Sequence, residues 1–293
     1  MTSSDSNTQA PTTSATAPKA AAAPASPNPS TVPGRVSLAD MTWPEVRDAL
    51  VDARVVIIPA GSTEQHGPGM TLSTDIVMAT AMSVRVARRL FPRALVAPSL
   101  PFGLSPHHMR FPGTITLHPD TFTAVLLDVI RSLKLHGVTH FMLLNGHGGN
   151  QANLSVVAMR ARQELDVQVA TAMYSAAAAD VLTARFGRSY MHACEVEASL
   201  ALAAAPELVR TEALTPGEEL PPRFRYTALA GGGAPGGSFV DVAARMDEIS
   251  ANGALGDPRN ASAEAGAEVL DMAERRLAEF LEDFIAAPAR APA

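Results

Sequence analysis

With 293 residues, 47% of them hydrophobic, the chain can bury a full core as one large domain. A formal net charge of −6 leaves no basic footprint for nucleic acid or for an anionic membrane surface. One cysteine, Cys194, excludes an intramolecular disulfide, and no stretch approaches the roughly eighteen consecutive apolar residues of a membrane span, so a soluble, cytoplasmic protein is expected.

Residues 1–34 are mostly Ala, Pro, Ser and Thr, a composition that buries too little apolar surface to offset chain entropy. A disordered tail is expected there, followed by one domain over residues 35–288. Lys19 is the tail's only basic residue and no apolar run precedes a cleavage site, which argues against a secretory signal. Thr42 can cap a first helix that tolerates Pro44 in its opening turn, and the lone tryptophan, Trp43, reads as a core or interface anchor.

A short apolar strand over residues 54–60 follows, broken by Pro and Gly, and a polar loop then carries Glu64, His66 and Asp75. Asp75 opens a helix rich in Ala, Val and Met to about Leu90, residues 94–99 read as another strand, and a second polar loop holds His107 and His108. Asp120 or Thr121 caps a helix whose stripe is Phe122, Val125, Leu126, Val129, Ile130 and Leu133, stopped at Gly137. Residues 141–144 form a strand, 146–149 a tight turn, and Asn150 begins a helix with Leu154, Val157, Ala158, Ala161 and Leu165 inward. A strand over 167–174 and a helix over 192–205 come next. Residues 215–238, rich in Gly and Pro, read as a mobile surface excursion or a flap near the site. A closing helix over 263–285 buries Val269, Leu270, Ala273, Leu277, Phe280 and Leu281. Strands alternating with helices in this way predict an α/β fold, a layered and mostly parallel sheet with helices on both faces.

In such sheets the site lies beyond the carboxyl ends of the strands. Glu64 and His66 follow one strand, His147 follows a second, and His192 and Glu195 come after a third, so all five converge on one edge. Carboxylates and imidazoles suit a divalent cation such as zinc, manganese or iron. Each motif alone has a plainer reading: a solvated loop for E-Q-H, an anion-binding glycine turn for G-H-G-G-N, and a helix start with dipole-favoured acids for H-A-C-E-V-E. Together and in this order they favour a metal site over a non-catalytic nucleotide or small-molecule binding protein.

The loop G-S-T-E-Q-H-G-P with its later T-D, then F-P-G-T-I-T-L, N-G-H-G-G-N, H-A-C-E-V-E-A-S and G-D-P-R-N-A-S, resembles the creatininase (creatinine amidohydrolase) family over almost everything except the tail. The resemblance implies an α/β layered homo-oligomer, often a hexamer, with two divalent metal ions (Zn, Mn or Fe) per chain. By the same token Glu64, His66, Asp75 and His147 match metal ligands, with Asp75 bridging. Creatininase takes a further glutamate where this chain has Gly149, whereas relatives with G-H-G-G-N use the first glutamate of H-A-x-E, so Glu195 is assigned as the fifth ligand. His192 matches the acid/base histidine, Glu197 a carboxylate orienting it or a metal ligand, and one of His107 and His108 a substrate contact. Cys194, where relatives carry glycine, is read as a small buried side chain. The implied reaction is hydrolysis of the C–N bond of a small cyclic amide or formamide by metal-activated water. The alternative within the family is a peptidase acting on a small precursor peptide in cofactor maturation.

Overall fold

The computed structural model describes residues 1, 34–187, 192–221, 223 and 242–287. All but the two end residues of the tail expected over residues 1–34, the end of the domain at 288 and most of the excursion expected over 215–238 lie outside the described residues.

Four parallel strands, β1 (Val55–Ala60), β2 (Ala94–Val96), β3 (His140–Asn145) and β4 (Gln168–Met173), form one sheet in the order β2-β1-β3-β4. Among the described residues, seven α-helices connect and cover them: α1 (Trp43–Asp52), α2 (Thr74–Arg89), α3 (Pro119–Leu135), α4 (Gln151–Leu165), α5 (Ala179–Phe186), α6 (Glu195–Ala204) and α7 (Ala263–Ala286). Successive strand residues point to opposite faces, so β1 feeds two cores. Val55 and Ile57 pack with Met78, Met82, Leu200 and Leu270 from α2, α6 and α7. Val56 and Ile58 pack with Phe122, Leu126, Leu154 and Val157 from α3 and α4. Every residue of β1 is buried, which is why this strand reads as a continuous apolar run instead of an alternating one.

β2 is shorter than expected. Its continuation keeps contact with β1 through Ala97 N–H to Ile57 O (2.9 Å) and Leu100 N–H to Pro59 O (2.9 Å), while Pro98 between them has no N–H to donate. α3 starts at Pro119, a residue suited to the first helical position, one or two positions before the expected caps. α5 was not expected from the sequence.

Two expectations about large apolar side chains need correction. Trp43 is 75% exposed and stands at the start of α1 with the Arg47 guanidinium 5.7 Å from its ring centre, so it is no part of this chain's core. Phe280 is 45% exposed and stacks on Phe284, whereas Val269, Leu270, Ala273, Leu277 and Leu281 form the buried stripe of α7 as read. On a helix, positions 277 and 281 share the core line and 280 lies roughly 60° off it, far enough to face water at this long helix's rim.

Candidate metal centre

β1 and β3 end side by side, Val56 opposite Phe141 through Ala60 opposite Asn145, and both chains leave toward the N-terminus of α2. Glycine permits this approach: a Cβ on Gly61 would run into the backbone of Asp75 and Ile76, and one on Gly146 into the carbonyl of Asp75. Asn145 braces the turn after β3, its side chain accepting from His147 N–H (3.0 Å) and donating to His147 O (2.7 Å). Asn150 ties that turn to its neighbours, accepting from Leu104 N–H (2.9 Å) and donating to Gly61 O (3.0 Å).

Glu64, His66, Asp75 and His147 meet in this corner, all at 4% exposure or less. His147 Nδ1 lies 3.1 Å from Glu64 Oε1 and 3.3 Å from Asp75 Oδ2, and His66 Nε2 lies 3.0 Å from Asp75 Oδ1. The opposite nitrogen of each ring is committed to the backbone: His147 Nε2–H to Leu104 O (3.0 Å) and His66 Nδ1–H to Glu64 O (3.1 Å). That arrangement fixes each imidazole with one nitrogen facing the carboxylates, as metal-bound histidines are fixed. Asp75 Oδ2 is buried without a hydrogen-bond partner, an arrangement that a cation would complete. Ser105 donates to Glu64 Oε2 in a short bond and is itself bonded to Ser62. These residues fit a divalent cation.

The electrostatics agree. Burial would raise the Glu64 carboxyl, but His147, His192 and His108 outweigh it and hold it well below the usual range. Burial opposes charge on His66 and His147, yet Asp75 pushes His66 up to about 10 and Glu64 with Asp75 push His147 well above its ordinary value. A proton on each ring thus offsets buried negative charge that a cation would otherwise balance.

Candidate ligand atoms within 4.8 Å of one another occur in four overlapping groups: Glu64 with His66 and Asp75, Glu64 with His107 and His147, Glu64 with His108 and His192, and His66 with His192 and Glu197. Glu64, His66 and His192 each belong to more than one group, so the groups share ligand residues. The expected ligand Glu195 belongs to none of them among the described residues, whereas Glu197 belongs to one. α6 begins at Glu195, and residues two apart on a helix point about 200° from each other, so only one of the pair can face the cluster. Glu197 turns back to accept from Ala193 N–H (2.6 Å), which brings Oε2 to 4.0 Å from His192 Nδ1. Burial raises its carboxyl to about 7, more than the attraction of His66 lowers it.

Burial, joined by the charge of His66, lowers His192 to about 4, and burial alone accounts for most of the fall of His108 to about 2. His107 is lowered by burial as well, and its ring stacks on His147 at 5.5 Å. Gly149 sits beneath these rings, where a Cβ would collide with His147 and Leu104 O. Cys194 is buried and borders the site. Sequence reasoning missed Ser105 and Gln65, whose side chains hold cluster residues; the serine carried no signal of its own, while the glutamine lay inside E-Q-H.

The cluster is the floor of a cavity of about 660 Å³ that both His107 and His108 also line. The rest of its lining includes the apolar Met173, Tyr174 and Val196 at the ends of β4 and α6, and Met246, Ile249 and Leu255 from a loop segment, a largely apolar wall. No lysine or arginine is among the described residues that line it.

Among known proteins, the sequence profile of the creatinine amidohydrolase (creatininase) family matches residues 39–281. A mycofactocin precursor peptide peptidase of Mycobacterium ulcerans (strain Agy99) is 33% identical over 257 residues, 85% of this chain and 86% of that protein. A 3-dehydro-scyllo-inosose hydrolase of Thermotoga maritima is 30% identical over 273 residues, 86% of each. A crystal structure of creatinine amidohydrolase superposes with a TM-score of 0.73 at 27% identity, covering 87% of this chain and 99% of that one.

Proposed function

Because the chain belongs to the creatininase family, shares its fold and buries a Glu/His/Asp cluster of its own, we propose that it hydrolyses the C–N bond of an amide with two bound divalent cations, zinc, manganese or iron. The observation that carries this is the pairing of His66 with Asp75 and of His147 with Glu64 in a corner where all four side chains are buried beside the cavity. Glu64, His66, Asp75 and His147 would hold the cations, with Glu197 in the place first given to Glu195. When bound, such ions supply Lewis acidity toward a carbonyl and lower the pKa of a water molecule.

The protein's own groups supply the rest. His192 Nδ1 faces the floor, 3.9 Å from Glu64 Oε1, and takes a proton from the attacking water and delivers it to the leaving nitrogen. Glu197 holds the turn that carries His192 through the Ala193 N–H bond, and its proximity stabilises the imidazolium formed in between. The apolar wall excludes water and seats an uncharged part of the substrate.

A peptide substrate is favoured over a small lactam by two observations. The cavity far exceeds the size of a five-membered ring amide, and the M. ulcerans relative that spans most of this chain is named for cleaving a precursor peptide. The test is a panel of creatinine, an N-formyl aryl amine and short apolar peptides, run with zinc- or manganese-loaded protein and with chelator. Peptide cleavage lost on chelation and restored by metal is the expected result. Turnover that survives complete metal removal refutes the reading.

A further inference from the structure

Gln65 lies between Glu64 and His66 in sequence, but its side chain turns into the gap between His108 and His192, buried to 6% exposure. The neighbours decide which way its amide points. Gly67 N–H donates to Oε1 at 2.8 Å, which sends the NH₂ group to the other side. Within reach of those two hydrogens are Gly253 O at 3.1 Å, His108 Nδ1 at 2.8 Å and His192 Nε2 at 3.1 Å.

Elimination assigns them. The Gly253 carbonyl can only accept and takes one hydrogen. His192 Nε2 lies 2.8 Å from the backbone carbonyl of Gln65, another pure acceptor, so this nitrogen carries its own hydrogen and cannot accept from the amide. The second amide hydrogen therefore goes to His108 Nδ1, which must be bare. Gly253, at φ +81°, is part of the arrangement, since a Cβ there would collide with the Gln65 amide.

Both rings thus carry hydrogen on Nε2, but they show opposite ends to the site. His108 presents Nε2–H, 3.5 Å from Glu64 Oε1, and His192 presents bare Nδ1, 3.9 Å from the same oxygen. We propose that Gln65 is a positioning residue that gives the two histidines complementary roles, His108 as hydrogen-bond donor to the substrate carbonyl and His192 as proton acceptor. The inference rests on the hydrolase reading for what those roles serve, while the tautomers themselves stand apart from it.

The experiment is ¹⁵N-labelled histidine spectroscopy of the zinc-loaded full chain at neutral pH, comparing the unaltered protein with Gln65→Leu and Gln65→Glu. The unaltered protein should show Nε2–H for both His108 and His192. Gln65→Leu removes the donor to His108 Nδ1 and should release that ring from a single tautomer. Gln65→Glu offers an acceptor instead and should move the His108 hydrogen to Nδ1. In both variants zinc content stays at the unaltered level, and kcat on the fastest amide of the panel falls roughly 10²-fold with KM within a few-fold, as for loss of one oxyanion donor. His108 found as Nδ1–H in the unaltered protein overturns the proposal, and so does Nε2–H persisting in both variants. Should either variant fail to fold, the spectrum of the unaltered protein decides. If no amide of the panel turns over, the spectra still stand or fall on their own, and only the hydrolase reading is lost.

Discussion

The floor and the wall of the cavity are built in different ways. On the floor, Glu64, Asp75 and His147 follow the ends of β1 and β3 or sit in the first turn of α2, with His147 Nε2 tied to the Leu104 carbonyl and Glu64 Oε2 to Ser105. The part of the wall over residues 242–255 is a loop segment with one 3-10 turn, Met246–Glu248, tied to its surroundings by scattered backbone bonds and side-chain brackets. Asn252 accepts from the N–H groups of Glu218 and Ala254, and Ser250 donates to Ala254 O. A sheet edge places reacting groups to within fractions of an ångström, whereas a loop can change its side chains without disturbing them. The contrast teaches that a metal cluster held at strand ends tolerates little displacement, whereas a loop lining the same cavity can take different side chains without moving that cluster. Relatives named for different substrates on one fold are what such a division would produce.

The division can be broken most severely at the floor. Glu64→Ala removes a carboxylate that three imidazoles face, so bound metal and amide hydrolysis should disappear together, as read by elemental analysis and turnover. Glu197→Gln should lower kcat by roughly 10² to 10⁴ if the carboxylate serves the proton transfer of His192, while Glu195→Gln changes it by no more than a few-fold. Equal losses in the two would erase the distinction drawn from the phase of α6. Ser105→Ala strips the brace from Glu64 and should weaken metal affinity about 10- to 100-fold, measured by competition with a chelating dye.

Acidity tests the floor in another way. His66 in the metal-free protein has its pKa raised to about 10, above the ordinary histidine value, so throughout the neutral range a cation must displace its proton. Apparent metal affinity should therefore rise about tenfold per pH unit for each proton displaced, from pH 6 to 9, and proton release should show as a buffer-dependent heat of binding. In the absence of metal the same raised pKa stabilises the fold fully below the unfolded value near 6.5, and that stabilisation is lost as pH climbs through about 10. The smallest effect belongs to the wall. Met246→Ala should raise KM several-fold, about 0.8 kcal/mol per methylene withdrawn from substrate contact, with kcat and metal content unchanged. A fall in kcat instead would mean that wall and floor are not separable.

Much of this architecture is written locally. Residues 55–60 read as a buried strand because all six are apolar or small and end in a Pro/Gly break. Glu64, His66 and His147 stood out because they follow strand ends, where an α/β sheet puts its chemistry, and Asp75 because it closes the same polar loop as Glu64 and His66. Periodicity located α7 as well, although Phe280, one residue off the stripe, shows that pattern reading does not place the rim of a helix. What the chain order could not decide is which side chains meet. Whether Glu195 or Glu197 faces the cluster depends on where α6 takes its first turn, and that is set by Ala193 at φ +50° and by its N–H bond to Glu197. Ser105 and Gln65 act through partners 41 and 43 residues away, and Gln65 also through Gly253, 188 residues away. Local sequence determined the strands, helices and ligand types because backbone propensity and burial period act over a few residues. Only the tertiary structure decided which donor faces which acceptor, because a hydrogen bond is satisfied within about 3 Å in space regardless of distance along the chain.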